Sequence, residues 1–138
     1  MYERLLVAVD HSDITSRVLG AVRELALLSG AEVWVLHLRE GEALPRAGVM
    51  PTESGSEAHA AVDAAVAELT KAGIKAHGDV RNTLSGHAAR EIVDDAVEHD
   101  AGVIVMGSKG KGDLAGLVLG STAHKVIHLT DRPVLVVR

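Results

Sequence analysis

The sequence predicts an α/β fold: a single domain, residues 1–138, built as an open, doubly wound, five-stranded parallel sheet of Rossmann-like type flanked by four helices. Three observations carry this expectation. Short aliphatic runs alternate with segments of helical period along the chain. Glycines sit where the helical segments give way to the next aliphatic run. The composition, 47% hydrophobic and 24% charged, suits a chain that encloses a core. At 138 residues one domain fits, and two would be cramped.

Residues 5–9 (LLVAV), 33–38 (VWVLHL), 103–106 (VIVM) and 134–137 (VLVV) are rich in branched aliphatics, as strands buried on both faces require. A weaker run through Ile74, Ala76 and Val80 reads as an edge strand. Between the runs, Ile14, Val18, Val22, Leu25 and Ala26 form one helical stripe. Val62, Ala65, Val66 and Leu69 form a second, and Leu84, Ala88, Ile92 and Ala96 a third. A fourth helix opens near Gly120 and carries Val126 and Ile127. Gly30, Gly73 and Gly102 stand where a left-handed residue ends a helix. Residues 41–55, polar and containing proline, read as the only long loop.

Composition excludes several functions. With 1% aromatic residues, stacking platforms for unpaired bases are scarce, and a net charge of −5 with a pI near 5.9 argues against nucleic acid as a partner. Without cysteine there are no disulfides and no thiolate metal sites. The start, MYERLLVAVD, reaches Asp10 too soon for a signal peptide, and no apolar run approaches the ~18 residues of a membrane span. No membrane partner is expected, and cytoplasm is the default location.

Alternating sheets of this kind bind ligands beyond the carboxyl ends of their strands, where the winding reverses. Asp10 follows the first strand, and the stretch GSKGKGDLAGLVLGSTAHK, residues 107–125, follows the fourth and holds five of the 14 glycines. Three glycine patterns compete for it. A phosphate loop of GxxxxGK-(S/T) type has its spacing in Gly107 and Gly112, but Asp113 and Leu114 follow, so the lysine and the magnesium-binding hydroxyl are missing. A dinucleotide fingerprint through Gly110, Gly112 and Ala115 arises by chance in about one chain in three of this composition, and Asp131 precedes the last strand where a ribose-binding acid would end it.

The third pattern is Gly107, two residues, Gly110, nine residues, Gly120, then Ser121; chance supplies it in about one chain in a hundred. Here the chain resembles the universal stress protein family, whose ATP-binding subclass carries G-x2-G-x9-G-(S/T). LLVAVDHSD, VLHL, VIVMGSKG and DRPVLVVR resemble the family's first, second, fourth and closing strands, so the likeness covers nearly the whole chain. VRNTLSG lacks the family's frequent Gly-x-Pro turn, and His11 replaces a common glycine.

Physically, glycines let backbone N–H groups converge on a phosphate, and a helix entrance adds free amides and a positive dipole end. Gly107 and Gly110 bend the exit of the fourth strand, while Gly120, Ser121, Thr122 and Ala123 open the last helix. Ser121 and Thr122 offer hydroxyl donors; Lys109 or Lys111 adds positive charge. The resemblance implies that the motif holds the phosphates of ATP, or of AMP or ADP. It also implies that Asp10 accepts from the ribose hydroxyls, that Val9 and Leu38 frame the adenine, and that Met106 packs beside it.

Bland readings stand beside these. Asp10 also reads as a cap or loop acid, and Ser12 reads as the cap of the first helix. His124 and His128 lie four apart but lack the glutamate of HExxH and a third ligand, and His37 reads as a satisfied core residue. No metal ligand set and no catalytic set is assigned, although magnesium can arrive with the nucleotide. The leading expectation is therefore a nucleotide-binding stress-response or regulatory protein with slow or no hydrolysis, acting on an unidentified regulatory partner. An ATP hydrolase or phosphoryl-transfer enzyme in the same pocket is one alternative. A dimeric adaptor that binds no nucleotide is another, and the resemblance implies a homodimer through the C-terminal strand Val134–Val137.

Overall fold

In the computed structural model, which describes residues 2–46, 48–110 and 119–138, the aliphatic runs become strands and the periodic segments helices. The order is β1 (Arg4–Val9), α1 (Thr15–Ser29), β2 (Glu32–Leu44), β3 (Gly48–Pro51), α2 (Gly55–Lys71), β4 (Ala76–Leu84), α3 (Ala88–Glu98), β5 (Val103–Gly107), α4 (Ser121–Leu129) and β6 (Val134–Val137). β1 lies between β2 and β5, with β4 beyond β2 and β6 beyond β5, all in parallel pairs. Growth of the sheet thus reverses between β1 and β5, which is the switch point of a doubly wound sheet.

The side-chain period of two sorts the strands into two core layers. Leu5, Val7 and Val9 of β1 join Val33 and Val35 of β2 and Val103 and Val105 of β5 beneath α1 and α2. Leu6, Leu36, Ile104 and Met106 face the other way, beneath α3 and α4. Both layers are aliphatic and alanine-rich. Gly30 ends α1 in the left-handed region, φ 70°, and Gly73 follows α2 at φ 86°. α2 opens on a side-chain cap: Ser54 Oγ accepts from the Glu57 amide at 3.1 Å.

Four local expectations are corrected. The loop expected over 41–55 instead extends β2 to Leu44, reverses at Pro45 and Arg46, and returns as β3, antiparallel to β2. The sheet therefore has six strands among the described residues and is mostly parallel. This hairpin is exposed on nearly every residue, so it carries none of the burial pattern by which strands are read. Leu84 belongs to β4, whose nine residues all pair with β2, and α3 begins at Ala88. The left-handed residue before β5 is Asp100, φ 50°, not Gly102. Ser12 does not cap α1: Ile14 takes the cap position without a side-chain bond, and Ser12 donates to Asp10.

On the α3 face, Arg81 of β4 gathers Asp79, Glu91, Asp95 and Glu98. Asp95 is fully buried, and neither of its oxygens receives a well-aligned hydrogen bond, although Arg81 Nη2 lies 3.1 Å from Oδ1. Burial raises its pKa above the ordinary aspartate value, and the Arg81 charge only partly offsets this. A group whose pKa is raised by folding supports the fold when protonated, and that support is lost as pH climbs through the folded value. Asp95→Asn removes the buried charge in the same shape. Its Tm is expected to exceed the wild type's at neutral pH by a few degrees, on the order of 1 kcal/mol. The gap should close in melts taken below pH 3.8, the ordinary aspartate value. A lower Tm than wild type at pH 7 contradicts this.

Candidate functional site

β1 and β5 end side by side, and each passes into a loop at the same edge of the sheet. Between those loops, the C-terminal end of β2 and the start of α4 lies a cleft of about 280 Å³. Val9, Leu38 and Met106 line it, together with Ala8, Leu36 and Ile92. Gly107, Lys109 and Gly110 from the exit of β5, and Ser121, Thr122 and Ala123 from the first turn of α4, line it as well. Asp10 belongs to the same lining. Ten of the eleven residues singled out from the sequence thus meet in one cleft; Gly120 is the eleventh.

Gly120 plays a different part. Its amide donates to the Ser108 carbonyl, and its own carbonyl accepts the first helical bond of α4 from His124 at 3.0 Å. It is therefore a clasp between the β5 exit and the helix entrance, in extended conformation with no side-chain cap. The Ser108 amide in turn donates to the Val137 carbonyl at 2.7 Å, fixing the loop to β6. Downstream of the clasp, the amides of Ser121, Thr122 and Ala123 precede the first i to i−4 bond and have no acceptor inside the helix. These are groups that attract an anion.

Gly107 is needed for space. A Cβ there would stand 3.0 Å from Ile14 Cγ2 and 3.3 Å from the Lys109 carbonyl oxygen, so glycine lets the β1 and β5 loops close on each other. Residues 111–118, with Lys111, Gly112 and Gly116, lie outside the described residues.

Asp10 is held firmly. Its Oδ1 accepts from the Ser12 amide at 2.9 Å, from Ser12 Oγ at 2.5 Å and from Thr15 Oγ1 at 3.1 Å, and its carbonyl accepts from the same Thr15 hydroxyl at 2.9 Å. All these carboxylate bonds fall on one oxygen. Oδ2 has no protein partner among the described residues and can take a hydroxyl from a ligand.

The cleft also holds residues that sequence reasoning missed. Lys125 lies one turn beyond Ser121 on α4, and Glu40 extends from β2. The i, i+4 spacing from Ser121 was the available signal for Lys125; Glu40 offered none, because its place depends on how far β2 runs.

His37 is buried and satisfied as expected, but by partners that no local pattern reveals: Nδ1 faces the Val9 carbonyl at 2.9 Å, and Nε2 faces Glu53 Oε1 at 2.5 Å. His11 Nε2 meets the other oxygen of Glu53 at 2.6 Å. Partial burial pushes the Glu53 carboxyl up, but the hydrogen bonds and charges of the two imidazoles outweigh it and hold the group below the ordinary glutamate range. His124 and His128 stack edge to face on the exposed side of α4, 4.6 Å apart.

Fold and cleft together define a doubly wound α/β protein with a cleft at its switch point, lined in part by the entrance of α4. The pattern of the Universal stress protein family matches residues 1–138, and the chain belongs to that family. It is 30% identical to the universal stress protein YxiE of Bacillus subtilis, over the whole of both chains. Among solved structures it superposes on MJ0577 of Methanocaldococcus jannaschii with a TM-score of 0.82 and 26% identity, covering 99% of this chain and 96% of that one. It also superposes on the Archaeoglobus fulgidus universal stress protein solved in complex with dAMP, at TM-score 0.76 and 32% identity, covering 99% and 98%. No helix among the described residues is long and apolar enough to cross a membrane.

Proposed function

We propose that this chain is a stress-response regulatory protein that holds ATP, ADP or AMP in the switch-point cleft and signals by conformation or partner binding. The observation that carries the reading is the meeting, within one cleft, of apolar side chains, a free-amide helix entrance and an Asp10 whose Oδ2 has no protein partner among the described residues. An adenine nucleotide has the matching sequence of groups: a flat apolar base, a ribose diol and an anion. The dAMP complex of the Archaeoglobus relative supports it.

In this reading Val9, Leu38 and Met106 take the base and Asp10 Oδ2 accepts from the ribose. Gly107 and Gly110 open space for the phosphates, Gly120 fixes the helix entrance, and Ser121, Thr122 and Ala123 donate to the anion. Lys109 and Lys125 add screened charge. Magnesium fits as a companion of the phosphates, with Glu40 the carboxylate at hand.

Rapid hydrolysis would require a group orienting water and a cation fixed on the transferring phosphoryl. No such pairing is built among the described residues, so holding, with slow or no turnover, is the function proposed. Calorimetry on ligand-free protein with ATP, ADP and AMP is expected to give saturable heat with at least one of them. No heat with any contradicts the reading, and magnesium-dependent multiple turnover would favour the enzyme alternative.

Dimerisation through β6 belongs to the same proposal. β6 pairs only with β5 among the described strands, and Leu135 is exposed on it. Light scattering at micromolar concentration is expected to return twice the 14.4 kDa chain mass, and a monomer there contradicts it.

A further inference from the structure

We propose that His11, His37 and Glu53 form a site for one divalent transition-metal ion of the zinc class, at the rim of the nucleotide cleft. The nitrogen and oxygen atoms these residues offer lie within 4.8 Å of one another. Glu53 comes from the segment after β3, His37 from the middle of β2, and His11 from the loop after β1, so the hairpin, sheet and switch-point loop converge there.

Donor accounting is the physical argument. The Val9 carbonyl only accepts, so His37 Nδ1 carries the proton in their 2.9 Å bond. In the neutral ring, Nε2 is then a lone pair, and it faces a carboxylate oxygen at 2.5 Å. Two acceptors do not face each other at that distance without a cation between them. A proton satisfies the contact as an imidazolium–carboxylate pair, in a site where His37 is 3% exposed, or as a protonated Glu53, and in either case it serves one histidine at a time. A metal ion satisfies both histidines and the carboxylate together.

The second shell agrees. A metal-binding histidine characteristically donates its other N–H to a backbone carbonyl or carboxylate, which is the His37 to Val9 bond. Two imidazoles and one carboxylate form an open zinc set with a fourth position for water. Ligand atoms about 2.0–2.1 Å from a tetrahedral ion stand about 3.3 Å apart, so the contacts at 2.5 and 2.6 Å must open by under an ångström. His11 is exposed and can swing. His11 also lines an open depression with Glu57, Ala60 and Ala61, so the outermost of the three residues faces solvent.

The molecule supplies its own contrast. Asp79, Asp95 and His99 also gather closely enough for a metal, but there Arg81 lies 3.3 Å from Asp79 and 3.1 Å from Asp95 and already provides the cation. At Glu53 no lysine or arginine forms an ion pair among the described residues. Through the Val9 carbonyl, the ion would also stiffen a residue of the cleft wall.

Titration of nucleotide-free protein with Co²⁺ alone tests the assignment. One equivalent is expected to produce the intense visible absorption of four-coordinate cobalt, bleached by one equivalent of Zn²⁺. His37→Ala and Glu53→Gln should each weaken Zn²⁺ binding by about 100-fold or more, and the exposed His11→Ala by about 10-fold or more. His128→Ala should leave it unchanged. Circular dichroism shows which variants are folded; should His37→Ala not fold, His11→Ala decides. Absence of the four-coordinate band, or wild-type affinity in folded His11→Ala, overturns the proposal and leaves a proton-bridged ion-pair network.

Discussion

Asp10→Asn is expected to weaken adenine-nucleotide affinity by about 10- to 100-fold while leaving the fold intact, because a hydrogen bond to a charged acceptor is worth roughly 1.5–3 kcal/mol. Asparagine keeps an oxygen where Ser12 and Thr15 donate to Oδ1, so the turn after β1 survives. What changes is the other end of the side chain. The unused carboxylate oxygen becomes an NH₂ that meets the ribose diol as a donor, and the negative charge is gone. Asp10→Ala separates the two roles: it should lose affinity to a similar degree and also lower the Tm, since the amide and hydroxyl of Ser12 then lose their acceptor while Thr15 keeps the Asp10 carbonyl. Calorimetry and thermal unfolding on the two variants read this out. Wild-type affinity in Asp10→Asn would assign the carboxylate to the turn alone.

Gly41→Ala is expected to destabilise the fold by about 1–3 kcal/mol and to lower the Tm by roughly 4–10 °C. Gly41 is buried and paired on both sides, with Pro51 of β3 and Leu84 of β4. A Cβ there would lie 2.7 Å from the Met50 carbonyl oxygen and 2.8 Å from Val49 Cγ1. The first of these is backbone and cannot rotate away. Relief requires β3 to unpair, which would disturb the Thr52 to Glu40 bond at 2.9 Å and, next along the chain, Glu53. Gly20→Ala is the control: nothing lies within 4 Å of its Cβ, and in α1 the alanine should be neutral or stabilising. Equal Tm values for the two alanine variants would contradict this account of the hairpin.

The two faces of the central strands explain what was legible beforehand. Leu5 to Val9 and Val103 to Met106 are apolar at nearly every position because helices cover both sides, and such runs declare themselves in sequence. The hairpin of β2 and β3 has water on both faces, so Leu44, Val49 and Met50 sit among residues that look like loop. The cleft was legible to the extent that its parts follow strand ends: Asp10 and Gly107 are placed by topology alone. The Glu53 cluster was not, since Glu53 stands 16 residues from His37 and 42 from His11 and reaches them only once the unread hairpin is folded. Gly120 was found by its spacing, yet its amide is taken by Ser108, a fact of register that spacing does not contain.

Titrating ¹⁵N-labelled, ligand-free protein with AMP and following the backbone amides tests the central claim most directly, because it asks where the nucleotide sits as well as whether it binds. The account predicts saturable shifts concentrated at Val9, Asp10, Met106, Gly107, Gly110 and Ser121 to Ala123, with the outer face of α2 silent. Saturable shifts centred away from these residues would contradict it, as would a spectrum unchanged by AMP and by ATP.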